Sequence, residues 1–132
     1  MKSLLLLSIA LHPLSDSVYN YAKSIGICYP EICTSQAVHE SANFTSYCYR
    51  TRNNCLGMKG KDGKYKVFAS WKECIDFYKD WQVRKGHCSS YSCYLKYVSH
   101  NYASDRKYGR KLRGIINRTS YREPDVAYIY HL

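Results

Sequence analysis

Acidic residues are scarce in this chain of 132 residues: ten Asp and Glu stand against 20 Lys and Arg, a formal charge of +10 with histidine neutral. That balance disfavours cationic partners and favours polyanions: nucleic acid, anionic lipid, or a wall bearing peptide carboxylates and acidic polymers. Glycine and proline are also sparse, at 7 and 3 residues, which excludes a collagen-like or linker-dominated chain. No apolar run approaches the roughly 20 residues that a membrane-spanning helix needs. Internal repeats, low-complexity tracts and a Gly-rich phosphate loop are absent from the sequence as well.

What remains is globular in composition. The hydrophobic fraction is 45%, and the length is that of one domain able to bury roughly 65–70% of its unfolded surface. The chain holds 15 tyrosines, residues whose flat face and polar tip suit both half-buried cores and sugar-ring stacking. Its cysteine count is odd, at 7. An exported chain would form three disulfides and leave one thiol, whereas in a reducing compartment the thiols would be small buried hydrophobes. Cys33, Cys55 and Cys74 lie among apolar neighbours and are expected to be buried. Cys48 with Cys55, and Cys88 with Cys93, are close enough in sequence to pair, and spacing leaves the connectivity open. Lys2 followed by the apolar run 4–11, with Ser8 and Ala10 as a small-x-small site, reads either as a short signal segment or as an apolar segment packing on the domain. The organisation expected is therefore an N-terminal segment over 1–14 and one domain over 15–132.

The local pattern predicts mainly helix. Ser15-Asp16-Ser17 offers an N-cap, and Val18, Tyr21, Ala22 and Ile25 follow at helical spacing, giving a helix over 16–25 closed by Gly26. Pro30-Glu31 opens a second helix that runs through Gln36 and Glu40 and ends near 41–43. Residues 53–68 read differently. Asn53-Asn54 marks a turn, 56–59 and 65–68 are candidate strands, and Asp62-Gly63 is the dipeptide that hairpins favour. Ser70-Trp71-Lys72-Glu73 is a capping box for a helix carrying Cys74, Phe77, Tyr78 and Trp81. A loop is expected over 83–90, helices over 91–101 and 105–117, and a tyrosine-rich tail docking as an edge strand beyond 118. The fold class is thus α+β, mainly α, with a small β-hairpin lobe inserted after the second helix.

Four blocks of this sequence resemble one family. Gln36-Ala37-Val38-His39-Glu40-Ser41-Ala42 is similar to the QA-x-x-E-(S/T)-G signature of the glucosaminidase domain, found in flagellar-rod peptidoglycan hydrolases, autolysins and phage endolysins. Asn53-Asn54-Cys55-Leu56-Gly57-Met58-Lys59 resembles its NN-(L/F)-F-G-(I/M)-K block. Tyr65, Phe68, Ser70-Trp71 and Glu73 follow its third block, and Tyr102-Ala103-Ser104-Asp105-Arg106-Lys107-Tyr108 its Y-A-x-D-P-x-Y block. The blocks keep the family's order. Three positions depart from it: Ala42 where glycine is usual, Cys55 where a bulkier apolar residue is usual, and Arg106 where proline is usual. The resemblance implies a lysozyme-like arrangement of helices around a small β-lobe.

It also implies glycoside cleavage, which needs a carboxylic acid that keeps its proton near neutral pH. Glu40 lies at the C-terminal end of its helix, where burial and the negative end of the dipole both oppose ionisation. Glu40 is accordingly the expected general acid. The second group is less determined. Asp62 at the hairpin tip and Glu73 are the nearby carboxylates, Glu73 being better explained as a cap and Asp62 as a turn former. In the family the second acid varies, and the substrate's own N-acetyl group can assist. The resemblance also assigns a catalytic part to Tyr102, against a packing role. Asn53 and Asn54 either fix the loop or touch sugar amides, and Tyr65, Phe68 and Trp71 either floor a glycan groove or pack the lobe.

No metal or other cofactor is expected. His39-Glu40 lacks the second histidine of a zinc-protease helix, Asn43 standing there, and His87, Cys88, Cys93 and His100 match no zinc spacing. The reading is a monomeric endo-β-N-acetylglucosaminidase acting on peptidoglycan glycan strands and attracted to anionic wall polymers, with no nucleic-acid partner and no integral membrane association. The alternatives are a muramidase or lytic transglycosylase on the same fold, or a non-catalytic basic wall-binding module. Localisation would be secreted, periplasmic or wall-bound if the N-terminal segment is a signal, and that of a cytoplasmic phage-type lysin otherwise.

Overall fold

The computed structural model describes residues 10–85, 90–119 and 121. Six helices occur among them: α1 (Leu14–Ser24), α2 (Pro30–Glu40), α3 (Tyr47–Arg52), α4 (Trp71–Lys85), α5 (Tyr91–Asn101) and α6 (Tyr108–Ile116). Of the N-terminal segment only 10–13 is described, and residues 86–89 of the expected loop, including Cys88, and most of the expected tail strand lie outside the described residues. No helix among the described residues is long and apolar enough to cross a membrane.

α2 is the centre of the molecule. Proline at its first turn pre-sets the backbone, and every residue from Ile32 to Val38 is buried. A helix buried all round must be covered by others, and α1 and α6 both pack on it. α1 contributes Val18 and Ala22 to this contact region, while α6 buries Leu112, Ile115 and Ile116 on one face. Cys33, Cys55 and Cys74 are fully buried within the same core, as the apolar neighbours of each predict. The six described cysteines, Cys48 and Cys93 among them, are free thiols.

The chain leaves α2 by an unusual path. Ala42, Asn43 and Phe44 all adopt the left-handed conformation, at φ 50°, 58° and 62°. Three such residues in succession hold only because their surroundings dictate it. The Asn43 amide N–H donates to Val38 O at 2.8 Å, the Phe44 amide donates to Ser41 Oγ at 2.8 Å, and the Phe44 ring is buried. The Asn43 side chain also ties down the start of the described chain, accepting from the His12 amide at 2.9 Å and donating to Ala10 O at 3.3 Å. This turn leads into α3, which the periodicity did not predict. Six residues carry too little pattern, but Ser46 caps it by accepting from the Tyr49 amide at 3.1 Å.

The β-hairpin expected over 56–68 is a correction. Among the described residues no strand forms, and the segment has one antiparallel bridge, Lys59 to Tyr65. The Asp62-Gly63 turn is present, with Asp62 Oδ1 accepting from the Lys64 amide at 3.0 Å and Gly63 at φ 77°. A ladder does not extend from it because Gly57, at φ 65°, turns the first arm out of the extended region. Side chains supply the missing bonds. Asn54 Nδ2 donates to Met58 O at 2.8 Å and to Lys66 O at 3.0 Å, and its Oδ1 accepts from the Met58 amide at 2.9 Å. Asn53 Nδ2 donates to Phe68 O at 3.0 Å.

The remaining boundaries shift by a few residues. α1 begins at Leu14 with Pro13 ahead of it and no side-chain cap, so Ser15-Asp16-Ser17 lies inside the helix. α4 continues to Lys85, beyond the start of the expected loop, and α6 starts at Tyr108 rather than at 105. The capping box before α4 forms in a shifted version: Ser70 Oγ accepts from the Glu73 amide at 3.3 Å, while Glu73 Oε2 accepts from the amide of Ala69, one residue before the cap, at 2.6 Å.

Candidate active site

Glu40 is the last residue of α2 and is half-buried. Burial pushes its carboxyl above the usual carboxylate range, partly opposed by a hydrogen bond from Tyr108. Two walls close on this group.

The first wall is the loop 54–58. A Cβ added at Gly57 would lie 3.2 Å from Glu40 Oε2 and 3.9 Å from the Tyr65 ring. With φ at 65°, this position needs glycine both for its conformation and for the close approach of backbone to the acid. Asn54 holds the loop from within. Tyr102 holds it from the helical side, its hydroxyl donating to Leu56 O at 2.6 Å.

The second wall is built from phenols. The rings of Tyr102 and Tyr108 stack with centroids 6.0 Å apart and planes 5° from parallel. Tyr108 Oη accepts from Gln36 Nε2 at 3.2 Å and lies close enough to Glu40 for the carboxylate's charge to raise its proton affinity. Gln36 Oε1 accepts from the Tyr78 hydroxyl at 2.6 Å. Since that proton is committed, the Tyr94 hydroxyl is the donor in its hydrogen bond with Tyr78. Donors therefore point one way through the interior, from Tyr94 through Tyr78 and Gln36 to Tyr108, which lies beside the carboxyl. Burial holds the phenols of Tyr78, Tyr94, Tyr102 and Tyr108 above their ordinary proton affinity, and the negative charge of Glu40 adds to this at Tyr102 and Tyr108. All four remain neutral donors at working pH.

Of the residues singled out from the sequence, Glu40, Tyr65 and Tyr102 meet around Gly57. Tyr65 is the exposed aromatic of this group, with Lys59 Nζ 5.2 Å from its ring centroid. Asn53 and Asn54 spend their amides on loop carbonyls. Asp62 is exposed at the turn and occupied with the Lys64 amide. Phe68 is buried against Phe77, and Trp71 sits edge-on to Tyr21 of α1. Those two side chains pack the body rather than the surface beside Glu40.

From the sequence, Tyr78 and Tyr94 had no part in the site, and Gln36, Gly57 and Tyr108 entered only as members of motif blocks. One signal was available for Gln36. It lies four residues before Glu40, on the same helix face, and a glutamine in a helix buried all round must find partners.

The family model described as mannosyl-glycoprotein endo-beta-N-acetylglucosaminidase, the Glucosaminidase family, matches residues 15–121. No curated protein and no solved structure is detectably similar to the chain. The match takes in all four sequence blocks, Glu40 and the residues that wall it. The chain belongs to the glucosaminidase family of glycoside hydrolases.

Proposed function

We propose that this protein hydrolyses the glycan strands of peptidoglycan as an endo-β-N-acetylglucosaminidase, with Glu40 as general acid. The observation that carries the reading is the state of that carboxyl: half-buried, at the C-terminal end of a central helix, with its proton affinity raised by burial. A protonated Glu40 donates to the glycosidic oxygen as the bond to N-acetylglucosamine breaks, leaving an oxocarbenium-like sugar that water then captures. Tyr102 and Gly57 hold the acid in place. Tyr65, exposed beside the carboxyl, is the platform on which a sugar ring stacks. Asn53 and Asn54 keep the loop at its height. The second group that stabilises positive charge or activates water is Asp62, at the turn of the same lobe, or the acetamido group of the substrate itself.

The pH dependence follows from the sign of the shift. A general acid works while protonated, so activity falls as pH rises through the raised pKa of Glu40. The alkaline limb therefore sits above the pH at which an exposed glutamate would have lost its proton.

Digestion of purified peptidoglycan by the wild type and by Glu40→Gln tests the reading. The expected result is a loss of about 100-fold to 10,000-fold in released reducing ends for the variant, with N-acetylglucosamine at the reducing ends made by the wild type. Equal release by both proteins removes Glu40 from the chemistry. N-acetylmuramic acid or an anhydro-sugar at the new ends reassigns the protein as a muramidase or a lytic transglycosylase. Wall binding without cleavage by either protein makes it a binding module.

A further inference from the structure

α5 and α6 enclose a trough of about 570 Å³ whose chemistry the proposed hydrolysis leaves unused. Six of its lining residues are basic, namely Lys96, His100, Arg106, Lys107, Arg110 and Arg113, and no lining residue is acidic. The facing stripes follow from helical spacing. Lys96 and His100 lie one turn apart on α5, and Arg106, Arg110 and Arg113 succeed one another at three- and four-residue steps into and along α6. Asp105, next to Arg106 in the chain, is already satisfied: its Oδ2 pairs with Lys111 at 2.6 Å and its Oδ1 accepts from the Lys107 amide at 2.9 Å. No described carboxylate forms a salt bridge with any of the six. The floor is rigid, because Gly109 lets the helices meet where a Cβ would fall 2.3 Å from Ser99 Oγ. Arg106 is one of the positions where this chain departs from the family pattern, a cation standing where proline is usual.

Like charges gathered on two facing helices repel one another. An arrangement with no acid among them is stabilised by an anion that spans both stripes. Three arginines favour phosphate, whose oxygens match the guanidinium fork. The volume falls within the range of small-ligand sites, roughly 300–1,000 Å³. It is large enough to hold a few repeats of one flexible strand. We propose that this trough binds a single-stranded phosphodiester polymer of the cell wall, such as a poly(polyol phosphate), and so tethers the enzyme beside its glycan substrate. The choice of a wall polymer rests on the peptidoglycan reading above. The site itself does not.

The test measures binding of poly(glycerol phosphate) to the full chain by titration at several salt concentrations. It compares wild type, Arg110→Gln/Arg113→Gln, and Arg84→Gln/Lys85→Gln, two residues at the C-terminal end of α4 that are not part of the trough's lining, as a control with the same change of net charge. The expected result is tight, salt-sensitive binding by wild type. The trough variant should bind more than ten-fold more weakly, with a salt slope reduced by about 1 per lost contact, while the control changes little. Glu40→Gln should bind like wild type, and the trough variant should digest polymer-free peptidoglycan at the wild-type rate. Unchanged thermal melting in both double variants keeps a folding defect from mimicking the result. Equal weakening by trough and control variants makes the effect one of net charge and overturns the site. Equal binding of polyglutamate overturns the assignment to phosphate, and tighter binding of duplex DNA overturns the assignment to a wall strand. A failure of wild type to cleave peptidoglycan counts against the hydrolase reading alone, since polymer binding is read without it.

Discussion

The two walls that meet at Glu40 are held by opposite kinds of bonding. On the loop side, Asn54 and Asn53 bind backbone atoms of their own segment, at sequence separations of 4 to 15 residues. On the helical side, Gln36 joins Tyr78 and Tyr108 by side chains alone, 42 and 72 residues away. A loop fixed by short-range amides can be reshaped without unfolding the body. A buried phenol network cannot be altered without leaving a donor or acceptor stranded in the core, at about 1–3 kcal/mol for each group. The carboxyl thus lies between a wall whose failure should show in rate and a wall whose failure should show in stability.

Removing Asn54 tests that contrast with the largest effect. Asn54→Ala loses four hydrogen bonds, three within the loop and one from Cys74 Sγ, lets Gly57 move away from Glu40, and is expected to lower peptidoglycan hydrolysis by about 10-fold to 100-fold. Its melting temperature should fall less than that of the matching change on the other wall. Steady-state rates beside thermal melts measure both, and a collapse of stability with the rate per folded molecule unchanged would erase the distinction. The matching change is Tyr78→Phe, which strands Gln36 Oε1 and the Tyr94 proton. Chemical denaturation should show a loss of about 1–3 kcal/mol, with a smaller change in rate per folded molecule than Asn54→Ala gives.

Smaller effects sharpen the picture at the junction itself. Ala42, just past the end of α2, sits at φ 50° where an L side chain costs roughly 1–2 kcal/mol. Ala42→Gly should therefore raise stability by about 1 kcal/mol, glycine's greater freedom in the unfolded chain offsetting part of the gain. An unchanged or lowered midpoint in denaturant would mean that the surrounding contacts favour the alanine methyl. The last test links the walls to chemistry. The Tyr108 hydroxyl, the donor beside Glu40, holds its proton affinity down against burial. Tyr108→Phe removes that donor, and the alkaline limb of the pH–rate profile should move to higher pH. A limb that stays in place or moves down would show that the phenol proton does not reach the acid.

Local chemistry was the legible part. Proline at the start of α2, the capping box before α4 and the Asp-Gly turn each act within a few residues, and each formed, the capping box with its glutamate reaching one residue further back. The failures are of two kinds. The hairpin had turn residues and alternating arms, but Gly57 serves the acid rather than a strand, and a strand pattern does not reveal that demand. α3 is too short to show a period, and only its serine cap marked it. For the site, Glu40 and Tyr102 were singled out through a motif, whereas for Phe68 and Trp71 the sequence left a glycan floor and core packing both open, and the side chains pack inward. An aromatic residue reads the same in sequence whether it lies under a sugar or in a core.

The sequence by itself determined that this is a basic, mainly helical domain with a carboxylate at the end of its second helix, because charge, helical period and motif spacing are all properties of the chain order. Only the tertiary structure decided that this carboxylate would be enclosed by a glycine on one side and a tyrosine on the other, that Tyr94, Tyr78 and Tyr108 would be brought from distant helices to Gln36 beside it, and that five lysines and arginines and a histidine would line one trough with no acid in its lining. Those outcomes depend on which helix faces meet. Faces are chosen by the packing of the whole core around α2, which no local pattern encodes.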